Sequence, residues 1–250
     1  MILTKYAALA VFINLLFFFN SRAANAAETA DPGAWQQSAA LYVWLPTLDG
    51  ELKYQREGDE PFPVDISDML DMAFMGAYEA RKNKWSILGD LIYLDLGDDK
   101  DRDNRLYNKV ELDLKGWQVG LYGGYNLYQT GRSNLDLLAG LRYLTIETES
   151  NLTSNQLPPL TLSQDVDLWD GVIGLRGRTN INENWFIPYQ ADIGTGDSDL
   201  TWQAMAGIAY QASWGDTRLA YRYLEWDQGD DDLLQKLSFS GPQIAVAFYF

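Results

Sequence analysis

Apolar and polar residues alternate with a period of two along most of this chain, and each alternating stretch is bounded by Gly, Pro, Asn, Asp or Ser, as expected of antiparallel β-strands. The pattern predicts about ten strands: Trp35 to Leu45, Ala73 to Arg81, Trp85 to Asp95, Tyr107 to Leu127, Asn134 to Thr148, Asp165 to Arg178, Trp185 to Ile193, Leu200 to Ala212, Thr217 to Trp226 and Ser238 to Phe250. The alternative counts are about eight, with two of these in an external extension, and about twelve, with Glu51 to Gln55 pairing as well.

The connections alternate too. Those at Lys82 to Lys84, Gln129 to Arg132, Thr179 to Asn184 and Ser213 to Asp216 are short, whereas those at Pro46 to Met72, Leu96 to Leu106, Glu149 to Gln164 and Asp227 to Leu237 are long and polar. Tight turns at one end and long loops at the other are the asymmetry of membrane-spanning barrels. The expected fold is therefore all-β: a closed antiparallel transmembrane β-barrel with short periplasmic turns and long acidic extracellular loops.

Side-chain volume assigns the faces. Val119, Leu121, Tyr125, Leu141, Trp169, Ile173, Trp185, Ile187, Trp202, Ile208, Leu219 and Tyr221 share one face and are too bulky to fill a narrow barrel, while Gly120, Gly124, Gly140, Gly174 and Gly207 punctuate the other. The bulky face is expected to meet lipid, with Trp and Tyr gathered near the strand ends. A soluble barrel would carry the apolar face inside.

This orientation turns Glu79, Arg81, Asp90, Asp136, Arg142, Asp170, Arg176, Arg178, Asp192, Arg218 and Arg222 inward, with Gln118, Tyr122, Asn126, Gln190, Gln203 and Gln243 among them. Charges in such a place must pair or meet water. The expectation is an ion-pair network that fills the lumen; the alternative is a narrow polar pathway, with Arg222 or Arg176 contacting an anionic solute.

Composition adds location. Lys5 precedes an apolar run from Ala7 to Phe19, followed by Ala24-Asn25-Ala26, which reads as a secretory signal over residues 1–26 with the barrel domain at 27–250. The run is too short to span a membrane as a helix. Losing Lys5 and Arg22 with the signal moves the net charge from −16 to −18. Such acidity excludes nucleic acid as a partner, since that contact needs Lys and Arg at phosphates.

The surplus acid lies in the predicted loops, in Asp98 to Asp103, in Asp230 to Asp232 and in Asp49, Glu51, Glu57, Asp59 and Glu60. Asp99, Asp101 and Asp103 match the first three ligands of a calcium loop, but Asn104 replaces its glycine and Val110 its bidentate Glu. No metal site or cofactor is expected; divalent cations bridging loop carboxylates to lipopolysaccharide remain an expectation. The chain has no His and no Cys, so the usual general base and thiol nucleophile are lacking.

Near its end, Ile244, Val246, Phe248 and Phe250 share one face of the final alternating stretch. This resembles the C-terminal strand of bacterial outer-membrane β-barrels, in which Phe248 and Phe250 would serve as the signal read by the barrel-assembly machinery. Tyr42-Val43-Trp44-Leu45-Pro46, Trp85 to Tyr93, Gly174-Leu175-Arg176-Gly177 and Tyr221-Arg222-Tyr223-Leu224 likewise resemble segments of small porin-like outer-membrane barrels of the OmpA and OmpW type. The resemblance implies outer-membrane lipid and lipopolysaccharide as surroundings. It implies no activity: the outer-membrane phospholipases, omptin proteases and lipid A acyltransferases and deacylases use a histidine, which this chain lacks. The functional expectation is a structural or surface-interacting barrel, with a narrow channel for small solutes or hydrophobic compounds as the alternative, and a calcium-binding or enzymatic barrel behind both.

Overall fold

The computed structural model describes residues 34–52, 64–65, 70–101, 109–153, 160–229 and 234–250. The signal segment and the acidic positions Glu57, Asp59, Glu60, Asp103 and Asp230 to Asp232 lie outside the described residues.

Twelve strands are described: β1 Gln36–Trp44, β2 Thr47–Leu52, β3 Val64–Asp65, β4 Leu70–Lys82, β5 Trp85–Asp101, β6 Lys109–Gln129, β7 Ser133–Thr153, β8 Leu160–Asn180, β9 Trp185–Gly196, β10 Leu200–Ala212, β11 Gly215–Asp227 and β12 Leu234–Tyr249. Sequential neighbours from β4 to β12 pair antiparallel, β4 pairs with β1, and β1 pairs with β12 from Ser38↔Tyr249 to Trp44↔Gln243, so the sheet closes on itself. Phe250 completes the seam, exchanging backbone hydrogen bonds with Gln37 at 3.0 and 3.1 Å. Closure leaves no edge, which is the condition for placing a sheet in hydrocarbon.

Ten strands make the wall; β2 and β3 are the extension. Pro46 supplies no N–H and interrupts the first strand, but beyond it β2 resumes the pairing with β12, from Thr47↔Ser240 to Leu52↔Leu234, and β3 pairs with β2. The extra pairing thus begins at Thr47, before the Glu51 to Gln55 stretch expected from the sequence. The β1–β4 ladder ends at Leu41↔Gly76, above which the Trp44 N–H donates to Met75 Sδ at 3.1 Å.

Several strands outrun their predicted ends. β6, β7 and β8 each have 21 residues, against 12 in β9 and 13 in β10. Much of the expected loops Leu96 to Leu106 and Glu149 to Gln164 is paired strand, so the wall rises on one side and stays low at β9 and β10. Asp99 and Asp101 belong to β5, opposite Glu111 and Lys109, rather than to a ligand-wrapping loop.

At the opposite end the turns are tight, and local side chains hold them. Asn83 adopts φ 55°, a left-handed conformation that Asn tolerates. Asn182 Oδ1 accepts from the N–H groups of Asn184 and Trp185 at 3.0 and 2.8 Å, and Thr130 Oγ1 accepts from Ser133 N–H at 3.1 Å.

The bulky face is outside, as the volume argument expects. Trp85 at 65% exposure, Ile244 at 59%, Leu121 and Tyr221 at 57% would be untenable in water at this density but suit lipid. Two aromatic girdles bound the belt: Trp85–Tyr125, Trp185–Tyr210 and Trp214–Phe248 near the turns, Tyr93–Trp117, Tyr143–Trp169 and Trp202–Tyr223 toward the other rim. Trp85 to Tyr93, Trp117 to Tyr125 and Trp202 to Tyr210 are each eight residues, roughly 26 Å along a strand and about 20 Å along the membrane normal at a typical barrel tilt.

Candidate functional site

The lumen has three levels. Each is set by which side chains the inward phase of the strands presents at that height.

On the turn side, β4 presents Glu79 and Arg81 two residues apart on one face. Arg81 bonds both Glu79, at 2.9 Å, and Asp136 of β7, while Arg176 of β8 reaches the other oxygen of Glu79 at 2.7 Å. Arg218 pairs with Asp216 in β11, and Tyr249 donates to the same carboxylate. Arg178 bonds the amide oxygens of Asn180 at 2.9 Å and Gln211 at 2.8 Å and lies 3.9 Å from the Phe186 ring centre. All of these groups except Asp216 and Gln211 line a cavity of about 370 Å³. Its guanidiniums are partly exposed, Arg81 by 21% and Arg176 by 23%, whereas the Asp136 and Asp216 carboxylates beside them are buried.

The middle level is the most enclosed, driest at Arg142–Asp192, while Asp90 keeps 14% of its side chain exposed. Arg222 of β11 donates to Asp90 of β5 at 2.9 Å and to Gln203 Oε1 at 2.6 Å, and Tyr42 donates to Asp90 at 2.6 Å. Arg142 of β7 pairs with Asp192 of β9 with 0% and 1% side-chain exposure, and also donates to Thr201 Oγ1 at 3.0 Å. Gln190 and Gln203 each donate to the second oxygen of Asp192 at 3.0 Å. Tyr122 folds across Gly120, where a Cβ would come within 2.6 Å of the ring, and brings its hydroxyl to 3.5 Å from Arg142. Glycine at position 120 thus makes room for this layer. A cavity of about 80 Å³ remains beside Arg222 and shares Arg176, Pro188, Met205 and Arg218 with the lower one.

The outer level inverts the chemistry. Leu94, Leu144, Ile146, Leu168, Leu224, Trp226 and Leu237 point inward and are buried, with Trp44 and Phe239 beside Trp226. All of these but Leu168 line a cavity of about 270 Å³ that shares no wall residue with either polar one. Outside this stretch the wall is polar: Asp113, Lys115, Glu147, Asp165 and Asp167 are exposed. Carboxylates tie down the girdle tyrosines, Tyr93 donating to Asp95 at 3.2 Å, Tyr143 to Asp167 at 2.7 Å and Tyr223 to Glu225. Glu225 also accepts from Trp202 Nε1 at 3.1 Å and pairs with Lys236 at 3.2 Å.

Of the eleven charged residues read as inward, nine lie in guanidinium–carboxylate pairs and two have other partners. Asp170 lies opposite Arg142 in register, yet its carboxylate accepts from Ser198 N–H and Oγ, both at 3.0 Å, because the short β9–β10 connection tucks Ser198 into the wall. Arg178 is held by amides rather than by an acid. Sequence reading missed Asp216, which it left in a turn; with it, six carboxylates face the six inward arginines. The spacing Asp216-x-Arg218, like Glu79-x-Arg81, was the available signal. The apolar outer level was missed altogether.

No protein-family profile matches the chain, and no curated protein sequence does. Solved structures resemble it loosely. The outer membrane protease OmpT from Escherichia coli is similar at 10% identity and TM-score 0.48, covering 89% of this chain and 99% of that one. The translocator domain of the autotransporter NalP from Neisseria meningitidis gives 13% identity and TM-score 0.47, covering 98% of each. Ail, the attachment invasion locus protein of Yersinia pestis, gives 12% and 0.39, covering 87% and 99%. The pairing and the outward apolar belt carry the assignment by themselves: this is a closed antiparallel barrel of the bacterial outer membrane.

Proposed function

We propose that this protein is a non-conducting outer-membrane barrel whose lumen is filled at mid-height and whose work is done at its outer face, as a structural or surface-interacting protein. The observation that carries the reading is the enclosed middle level. Arg142–Asp192 is buried there among amides, Arg222 is buried against a partly exposed Asp90, and the polar cavities below share no wall residue with the apolar one above. No catalytic activity is proposed, and the sequence holds no histidine to serve as a base. Outer-membrane lipid and lipopolysaccharide are the proposed surroundings, with divalent cations bridging the latter to rim carboxylates.

Single-channel recording in planar bilayers tests the reading. The refolded wild type is expected to be silent; steady conductance at low voltage, with ion selectivity that follows replacement of Arg222 by Ala, would establish the narrow channel instead. The barrel-assembly machinery is the proposed reader of Phe248 and Phe250. Phe250 is 57% exposed and shares the outward phase of Ile244, Val246 and Phe248. Phe250→Ser should lower the folded yield in the outer membrane, and an unchanged yield at native expression would remove that role.

A further inference from the structure

We propose that the apolar chamber above the plug is a binding site for a small neutral molecule with an apolar body and one hydrogen-bond-accepting oxygen. This deepens the preceding reading by naming what the outer face takes up. The chamber is built by the strands that rise past the upper girdle, and its walls at Leu94, Leu144, Ile146 and Leu224 offer hydrocarbon only. About 270 Å³ exceeds the roughly 150 Å³ of an engineered cavity that takes up benzene, so a substituted single ring fits.

Two donors beside the chamber lack acceptors among the described residues. Trp226 Nε1 and Gln118 Nε2 both belong to side chains lining the chamber, and both are buried. The orientation of the Gln118 amide follows from its other end, since Oε1 accepts from Arg222 at 3.4 Å and the nitrogen must then be the free group. An indole N–H and an amide NH₂ without acceptors select an oxygen that accepts. Charge is disfavoured on either sign: the nearest cation, Arg222, is already held by Asp90 and Gln203, and a cationic ligand would face donors. The chamber shares no wall residue with the cavities below.

The experiment is a titration of the full barrel in phosphatidylcholine nanodiscs with acetophenone, following the indole N–H resonance of Trp226, assigned through Trp226→Phe. A saturable shift is expected, with ethylbenzene, which lacks the oxygen, binding roughly three- to tenfold more weakly, the value of one hydrogen bond. Gln118→Leu should narrow that difference. Gly116→Phe, which adds a ring at a wall position where a Cβ meets nothing closer than 3.4 Å, should abolish the shift while the barrel keeps its heat-resistant electrophoretic mobility. A linear, non-saturating response, or one that persists in Gly116→Phe, means partition into lipid and overturns the proposal, as does equal affinity for the two probes. Conductance of the same preparation is read separately: a silent barrel without the shift removes only the ligand site, and a conducting barrel with it removes only the plug.

Discussion

Below the upper girdle the wall is apolar outside and charged within; above it the same strands are polar outside and apolar within. On β7 the inward phase runs Asp136, Leu138, Gly140, Arg142, Leu144, Ile146, with its charges confined to the part below the girdle, and the outward phase runs Leu137, Ala139, Leu141, Tyr143, Thr145, Glu147. The switch on both faces falls at Tyr143, a girdle residue. The backbone does not change there; the solvent does. Where lipid covers the outside, apolar side chains lie outward and the lumen collects the arginines, and where water covers it the sheet takes the polarity of a soluble barrel. One chain thus carries two barrels of opposite polarity end to end, and the ion-paired plug sits at the level where they meet.

The severest way to break this arrangement is to strand a charge in the dry layer. Arg142→Ala leaves Asp192 buried with only amides, and should cost about 3–5 kcal/mol of unfolding free energy, read from urea-induced unfolding in detergent. Replacing both partners together, Arg142→Met with Asp192→Leu, should recover most of that loss. If the single and double variants are equally unstable, the pair is not what the layer depends on.

Next in size is a charge placed on the outer surface at two heights. Leu121→Arg enters the middle of the lipid belt and should cost about 2–4 kcal/mol. Glu147→Arg, also outward but above the girdle, should leave stability nearly unchanged. Similar losses at both positions would show that the outer surface above Tyr143 is not in water, and the two-barrel comparison would fail.

Half of this comparison was legible in the sequence. The ten staves and the outward bulky set follow from alternation plus one volume argument, because within the belt the solvent is uniform and one orientation holds throughout; Asp216 escaped because it was read as part of a turn. The outer level escaped because alternation reports that two faces differ and not which is the core. Leu144 and Ile146 continue the inward phase of Arg142, but their meaning depends on where the membrane stops, which the pairing of Tyr143 with Trp169 across two strands reveals. The long strands were cut short for a related reason: the segments Leu96 to Asp101 and Glu149 to Thr153 are acidic or polar, like loops, and they pair as strands because the neighbouring strand is as long. Partners such as Ser198 for Asp170 depend on how a three-residue connection folds over the rim, which no local pattern specifies.

The smallest effect separates the dry layer from the wet one beneath it. Arg81 holds Glu79 and Asp136 much as Arg142 holds Asp192, but 21% of its side chain is exposed beside a cavity of about 370 Å³, and the buried Asp136 keeps the Asn126 amide as a donor at 2.7 Å, so water and that amide can take over the bonds when the guanidinium is removed. Arg81→Ala should therefore cost about 1 kcal/mol or less, against several for Arg142→Ala. Salt sharpens the test, because screening reaches hydrated pairs and largely spares buried ones. Raising ionic strength should shrink the Arg81→Ala loss and leave the Arg142→Ala loss nearly as it was, both followed by the same urea titration. Equal losses, or equal salt dependence, would mean that the lower level is as dry as the middle one, and the gradient from hydrated vestibule to sealed plug would have to be abandoned.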